Sequence, residues 1–324
     1  MDEPRLGVWT GVCGSRPRLR IAWVDPTIEA RGAGSVTVGH TRRMLIGPEA
    51  LAAIVGDART RIVDVRWYLG RPGDGRSAYE AGHIPGAVFL DIDGDLALAP
   101  GPGLPGRHPL PDPGVFARRL EAAGIGDEHV VVAYDDVGGW VAARLWWMLD
   151  ALGHREAAVL DGGFGAWLAS GGAVSTDVSV VVPGKLSLAR AWSRTIDRET
   201  LRSRLGSVTI LDARGAPRYR GEVEPIDPAA GHIPTSVSAP TDGNLGSDGR
   251  FLPADALRAR FAAFGDPARP VVTACGSGVA ACMNALAMRV AGLPDPILYP
   301  GSWSDWSTAG FPVATGPEPG DPPA

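Results

Sequence analysis

Cysteine is scarce in this chain: three occur in 324 residues, Cys13, Cys275 and Cys282. An odd and sparse count excludes a disulfide framework, and no pair has the spacing of zinc ligands. A basic excess is missing too. The net charge is −5, so the chain has no electrostatic footprint for nucleic acid. No apolar run is long enough to span a bilayer, and the first residues carry no apolar stretch ending in a small-residue cleavage site. These absences predict a cytoplasmic chain with neither membrane nor nucleic acid as a partner, in which each cysteine needs its own explanation. What remains, with 45% hydrophobic and 21% charged residues, is an ordinary globular composition. The length suffices for two domains with separate cores.

Residues 1–43 hold seven arginines and little periodicity. They are expected to form a disordered leader, dispensable for the fold. Globular patterning starts at Met44-Leu45-Ile46-Gly47-Pro48-Glu49.

From there the chain repeats itself. Asp64-Val65-Arg66 returns as Asp212-Ala213-Arg214, each after an apolar run. Gly82-His83-Ile84-Pro85 returns as Gly231-His232-Ile233-Pro234. Val130-Val131-Val132-Ala133-Tyr134-Asp135 returns as Val271-Val272-Thr273-Ala274-Cys275. Asp161-Gly162-Gly163 with Trp167 returns as Tyr299-Pro300-Gly301 with Trp306. The shared order and spacing imply one fold duplicated. Short β-branched runs, such as 130–134 and 271–273, alternate with helical stretches at 142–149 and 280–290. Gly153 and Gly292 punctuate the ends of those helices. Strands alternating with helices predict an α/β fold, each half a mainly parallel sheet with helices on both faces. The expected boundaries are 44–170 for the first domain, 171–195 for a linker, 196–316 for the second domain and 317–324 for a tail.

In an open parallel sheet, ligands bind outside the carboxyl ends of the strands. Cys275 stands there, opening Cys275-Gly276-Ser277-Gly278-Val279-Ala280-Ala281. Two glycines let the backbone curl and turn its N–H groups inward, and the following helix adds the positive end of its dipole. Such a loop stabilises a thiolate, and it would equally cradle a persulfide anion. A buried structural role suits Cys282, which lies within the helix. A phosphatase would need arginine six residues after the cysteine to clamp phosphate; Ala281 occupies that position. The tryptophans 146, 147, 167 and 306 read as core and interdomain packing. His83 and His232 occur in both repeats, which favours a structural job in the Gly-His-Ile-Pro turn.

These motifs resemble the tandem-domain rhodaneses, the thiosulfate and 3-mercaptopyruvate sulfurtransferases. The resemblance runs from about Met44 to Gly316, and it is carried most specifically by Gly82–Ala87 and by Gly301-Ser302-Trp303-Ser304-Asp305-Trp306. It implies two tandem rhodanese-like domains, a catalytically silent first domain and a catalytic cysteine, Cys275, in the second. Asp135 stands where the first repeat would need that cysteine, and a carboxylate cannot accept sulfane sulfur. The loop Cys275-Gly276-Ser277-Gly278-Val279 is similar to the mercaptopyruvate-preferring pattern, except that Ala280 replaces a usual threonine and so loses a hydroxyl donor. The persulfide cradle would be Gly276, Ser277, Gly278, Val279 and Ala280. By family position, Arg214 and Arg218 would hold the donor carboxylate through bidentate pairing, and a proton relay would comprise Ser277, His83 and Asp74. The implied partners are a small anionic sulfur donor and a thiol, cyanide or protein-thiol acceptor, with no cofactor and no metal. Two other readings stay open: a thiosulfate:cyanide sulfurtransferase, and a sulfur-relay protein serving a dedicated partner.

Overall fold

The computed structural model describes residues 44–266 and 268–323; the expected leader and Cys13 lie outside them. In the first domain the elements run β1 (Leu45–Ile46), α1 (Pro48–Ala52), β2 (Thr60–Asp64), α2 (Asp74–Ala81), β3 (Val88–Phe89), α3 (Pro113–Ala122), β4 (Val130–Tyr134), α4 (Ala142–Ala151), β5 (Ala157–Leu160) and α5 (Gly163–Ala169). The second continues with α6 (Arg198–Ser203), β6 (Thr209–Asp212), α7 (Ala216–Tyr219), β7 (Ser236–Ser238), α8 (Ala254–Ala262), β8 (Val271–Ala274), α9 (Ala281–Val290), β9 (Ile297–Leu298) and α10 (Ser302–Thr308).

Each domain holds one parallel sheet, in the order β1-β5-β4-β2-β3 and then β7-β6-β8-β9. The registers match across the repeat. Asp64 pairs with Tyr134, and Asp212 with Ala274. A single parallel bridge from Thr195 to Leu298 stands where the first domain has β1, so the expected linker ends as the second sheet's edge. Its beginning is bound to the first domain: Ser175 bridges His83 just as Ala314 bridges His232. The stretch leading into the expected tail therefore packs on the second domain as the linker's start packs on the first.

Successive strand residues point to opposite faces, and both faces are covered, which is why these strands read as unbroken apolar runs. Ile62, Val132 and Tyr134 join an outer cluster with Leu51 of α1, Tyr79 of α2 and Trp167 of α5. Their neighbours Val63, Val131 and Ala133 turn the other way, into a core shared by both domains. That core takes Phe116 of α3, Trp147 and Leu149 of α4, Leu257 of α8, and Cys282 and Leu286 of α9. The second sheet's outer face buries Ile210 and Val272 under Leu201 of α6 and Trp306 of α10. Helix α4 is apolar nearly all round, with every residue but Asp150 buried. Such a helix must be covered on all sides, and α4 packs against the equally buried α9. Both helices end on a glycine in the left-handed region, Gly153 at φ 96° and Gly292 at φ 71°, a conformation that lacks strain only without a Cβ. No helix of the described residues is long and apolar enough to cross a membrane.

Candidate active site

The loop after β8 lies where the two domains meet. Cys275 is 3% exposed, and its sulfur accepts the Gly278 N–H at 3.1 Å. The loop is held from outside by the start of α10. Ser302 Oγ accepts the Cys275 N–H at 3.1 Å, the Cys275 carbonyl accepts from Trp303 N at 3.0 Å, and the Gly276 carbonyl accepts from Ser304 N at 2.9 Å. Gly278 has φ 79°, and a Cβ there would fall 2.3 Å from the Pro300 carbonyl oxygen. Only glycine allows the backbone to fold back and aim its N–H at the sulfur. Ser277 and Val279 are buried beside it, and Ala280 closes the turn ahead of α9.

The corresponding loop of the first domain is filled by a carboxyl group, which burial pushes above its ordinary pKa and four backbone N–H groups pull back down. Asp135 is fully buried; one carboxylate oxygen accepts the N–H groups of Val137 and Gly139, and the other those of Val141 and Ala142. The loop that cradles sulfur in one domain is thus filled by a carboxylate in the other.

The hydrogen bonds around Ser277 differ from the expected set. His83 is held by two carbonyls, Nδ1 at 2.8 Å from Tyr79 O and Nε2 at 3.0 Å from Asp177 O, and it stacks on Tyr79. His232 repeats the arrangement on Tyr219 and Glu318. Asp74 lies at the exposed start of α2, loosely paired with Arg71 at 3.5 Å. Neither His83 nor Asp74 reaches Ser277. His108 does, with Nδ1 2.6 Å from Ser277 Oγ and Nε2 3.0 Å from Asp93 Oδ1. Trp67 Nε1 donates to the other Asp93 oxygen at 2.8 Å. Because a carboxylate can only accept, His108 carries its proton on Nε2, and its Nδ1 accepts from the Ser277 hydroxyl. The hydrogen bond from His108 holds the Asp93 carboxyl below its ordinary value, burial opposing and Trp67 adding. Its contribution to stability is therefore present above the unfolded pKa, about 3.9. It is lost only as pH falls through the lower folded value, so Asp93 stays anionic throughout the neutral range. In the sequence His108 differs from His83 in having no counterpart in the second repeat, a property it shares with His129 and His154.

The two arginines separate as well. Arg214 is not available to a donor. It is 4% exposed, forks Asp212 with Nη2 at 2.7 Å, and donates to the Gly231 carbonyl at 2.7 Å. Arg66 does the same to Asp64 and Gly82, so the Asp-x-Arg repeat is a fold clamp at the end of each central strand. Arg218 stays at the mouth, its side chain 21% exposed and bonded to Glu224 at 2.7 Å and to Asp227 at 3.2 Å.

Beneath the loop lies a cation that sequence reasoning passed over. Arg144 of α4 is fully buried and bridges the domains by donating to the carbonyls of Gly278 at 3.1 Å, His108 at 3.1 Å and Leu96 at 3.3 Å. One guanidinium therefore ties the cysteine loop to the His108 backbone. Burial pushes it below its ordinary pKa, opposed by the nearby thiols of Cys282 and Cys275. Cys282 is fully buried, donates to the Gly278 carbonyl at 3.4 Å, and has its thiol pushed up to about 12 by burial. Iodoacetamide at pH 8 is accordingly expected to alkylate Cys275 and spare Cys282 in the folded protein. Peptide mapping checks this, and comparable labelling of Cys282 would contradict it.

Comparison with known proteins agrees with this architecture. The model of the rhodanese-like domain matches twice, over residues 47–170 and 197–309. A Pseudomonas aeruginosa protein named "Probable 3-mercaptopyruvate sulfurtransferase" is 47% identical over 278 residues, covering 84% of this chain and 98% of that protein. Thiosulfate sulfurtransferase of Bos taurus is 36% identical, covering 76% and 84%. The structure of 3-mercaptopyruvate sulfurtransferase from Leishmania major superposes with a TM-score of 0.74 at 31% identity, over 83% of this chain and 75% of that one. The duplicated sheets, the two matched domains and these relatives together show that the chain belongs to the rhodanese-like family.

Proposed function

We propose that this chain is a sulfurtransferase that takes sulfur from 3-mercaptopyruvate onto Cys275 and passes it to a thiol or cyanide. The observation that carries the choice of donor is the Ser277–His108–Asp93 chain attached to the cysteine loop. Removing sulfur from 3-mercaptopyruvate leaves a carbanion equivalent that must gain a proton. Removing it from thiosulfate leaves sulfite, which needs none. A relay beside the cradle suits the first reaction.

The Cys275 thiolate attacks the donor sulfur. A sulfur–sulfur bond forms, the carbon–sulfur bond breaks, and its electron pair goes to the enolate of pyruvate. The proton on the donor thiol ends on the enolate carbon, carried by Ser277 and His108, while Asp93 holds the imidazole tautomer. The persulfide anion left on Cys275 receives the loop N–H groups, as Asp135 receives its own in the first domain. Cyanide or a thiolate then attacks the outer sulfur and returns the Cys275 thiolate.

The test compares steady-state turnover with 3-mercaptopyruvate and with thiosulfate. The wild type is expected to favour mercaptopyruvate, and a tenfold or greater preference for thiosulfate, about 1.4 kcal/mol, would overturn the assignment. In His108→Gln and Asp93→Asn, mercaptopyruvate turnover is expected to fall by about 10²-fold or more, and thiosulfate turnover by far less. Equal losses with both donors would make the relay a scaffold rather than a proton path.

A further inference from the structure

The arginines around the cysteine loop are not alike. Arg107 lies on the segment that begins with Gly106, which fits so closely against the Gly301 carbonyl that a Cβ would come within 2.5 Å. Its own N–H donates to Ser304 Oγ at 3.1 Å, and its guanidinium pairs with Asp227. Arg214 pairs with Asp212 and Glu224, and Arg218 with Glu224 and Asp227. Arg144 is different. It is 0% exposed, yet among the described residues no carboxylate pairs with it. Three carbonyl oxygens hold its two Nη groups, and its buried Nε has no partner. Carbonyl oxygens offset only part of the cost of burying a charge, so an anion within reach would stabilise this guanidinium further.

Two sulfurs approach it, those of Cys282 and Cys275. Cys282 cannot supply the anion, because burial pushes its thiol up to about 12 and it donates to the Gly278 carbonyl as a neutral group. Cys275 is joined to Arg144 through a single residue. Gly278 gives its N–H to the Cys275 sulfur at 3.1 Å and its carbonyl to Arg144 Nη1 at 3.1 Å, which keeps sulfur and cation within about 10 Å of each other. Both groups are buried, so solvent and salt screen the pair little. The repeat shows that the fold does not itself require this cation. Arg144 stands nine residues after Asp135, and nine residues after Cys275 stands Asn284. Asn284 is a neutral amide, engaged with Asn244 and the Ala239 carbonyl in its own domain. The carboxyl loop therefore has N–H donors alone, whereas the sulfur loop also has a cation beneath it.

We infer that Arg144 is the fixed counter-charge for the anionic sulfur of Cys275, first as thiolate and then as persulfide, supplied to the second domain by α4 of the first. The inference rests on the proposed sulfur chemistry of Cys275 and not on the choice of donor, so its first test needs no turnover. In the full-length chain, Cys275→Asp places a permanent negative charge in the loop, and Cys275→Asn is its neutral isostere. With Arg144 intact, Cys275→Asp is expected to melt about 4 °C or more above Cys275→Asn. With Arg144→Gln added to each, that gap is expected to shrink to less than half. Any preference of the loop N–H groups for a carboxylate is common to both pairs and cancels in the comparison. Asn284→Ala, at the matching place on α9, removes no charge and leaves the gap as it is. Should Arg144→Gln not fold, Arg144→Met, apolar like most of α4, carries the same comparison. Cys275→Asn melting at or above Cys275→Asp overturns the inference without any Arg144 variant, and so does a gap that the Arg144 variant leaves unchanged. In turnover, Arg144→Gln is expected to slow transfer from 3-mercaptopyruvate and from thiosulfate by the same factor, about tenfold or more, because both donors pass through one sulfur anion. A loss confined to one donor also overturns the inference. A gap that closes in a protein whose Cys275 takes up no sulfur supports the counter-charge and rejects the proposed reaction instead.

Discussion

Cys275→Ser is expected to abolish sulfur transfer from either donor, lowering turnover by about 10³-fold or more. It should also remove the protein adduct of about 32 Da that marks the covalent persulfide. The fold should survive. A serine hydroxyl is smaller than the thiol and can still accept the Gly278 N–H that now meets the sulfur, so the thermal midpoint should move by no more than about 4 °C. The chemistry is lost because oxygen offers neither the nucleophilicity of a thiolate nor a stable bond to sulfane sulfur. Cys282 is no substitute. It lies seven residues further on, in the first turn of α9, fully buried, with a thiol pushed up to about 12, so it forms almost no thiolate at neutral pH. Mass spectrometry after incubation with donor decides the matter. An adduct that persists in Cys275→Ser and maps to Cys282 would displace Cys275 from its role.

Asp135→Asn, an isosteric change far from any expected chemistry, is expected to destabilise the protein by about 2–4 kcal/mol. The four N–H donors around this carboxylate divide two to each oxygen. An asparagine can place its oxygen against one pair only. Its amide then turns N–H against N–H at the other, leaving two buried donors unpaired, at about 1–2 kcal/mol each. Asp135→Ala should be at least as damaging, and the thermal midpoint should drop by about 5–15 °C in either variant. Because Val141 and Ala142 open α4, which carries Arg144 to the active site, activity should fall in step with the folded fraction. Denaturation curves for the two variants test this. A change below about 0.5 kcal/mol for Asp135→Asn would mean that the loop does not require a full carboxylate, and would weaken the parallel with a persulfide anion in the second domain.

Local pattern by itself determined the duplication, the parallel α/β architecture, the strand–loop–helix setting of Cys275 and the presence of Asp135 at the matching place. Each of these is written in a few consecutive residues: β-branched runs for strands buried on both faces, glycines where the backbone must turn back, a nucleophile or a carboxylate at the strand end. Tertiary structure decided what surrounds the cysteine loop. The Asp-x-Arg motif proved to be a clamp closed on itself, which removes Arg214 from the site. His83, although it stands in the most conspicuous motif, is held by carbonyls of its own domain. His108, Asp93, Arg107 and Arg144 come instead from the first domain, more than a hundred residues from Cys275 in every case. No spacing rule encodes that approach. It follows from the packing of α4 on α9 and from the seating of Gly106 on Gly301, which carry irregular loop residues of one domain onto the catalytic loop of the other.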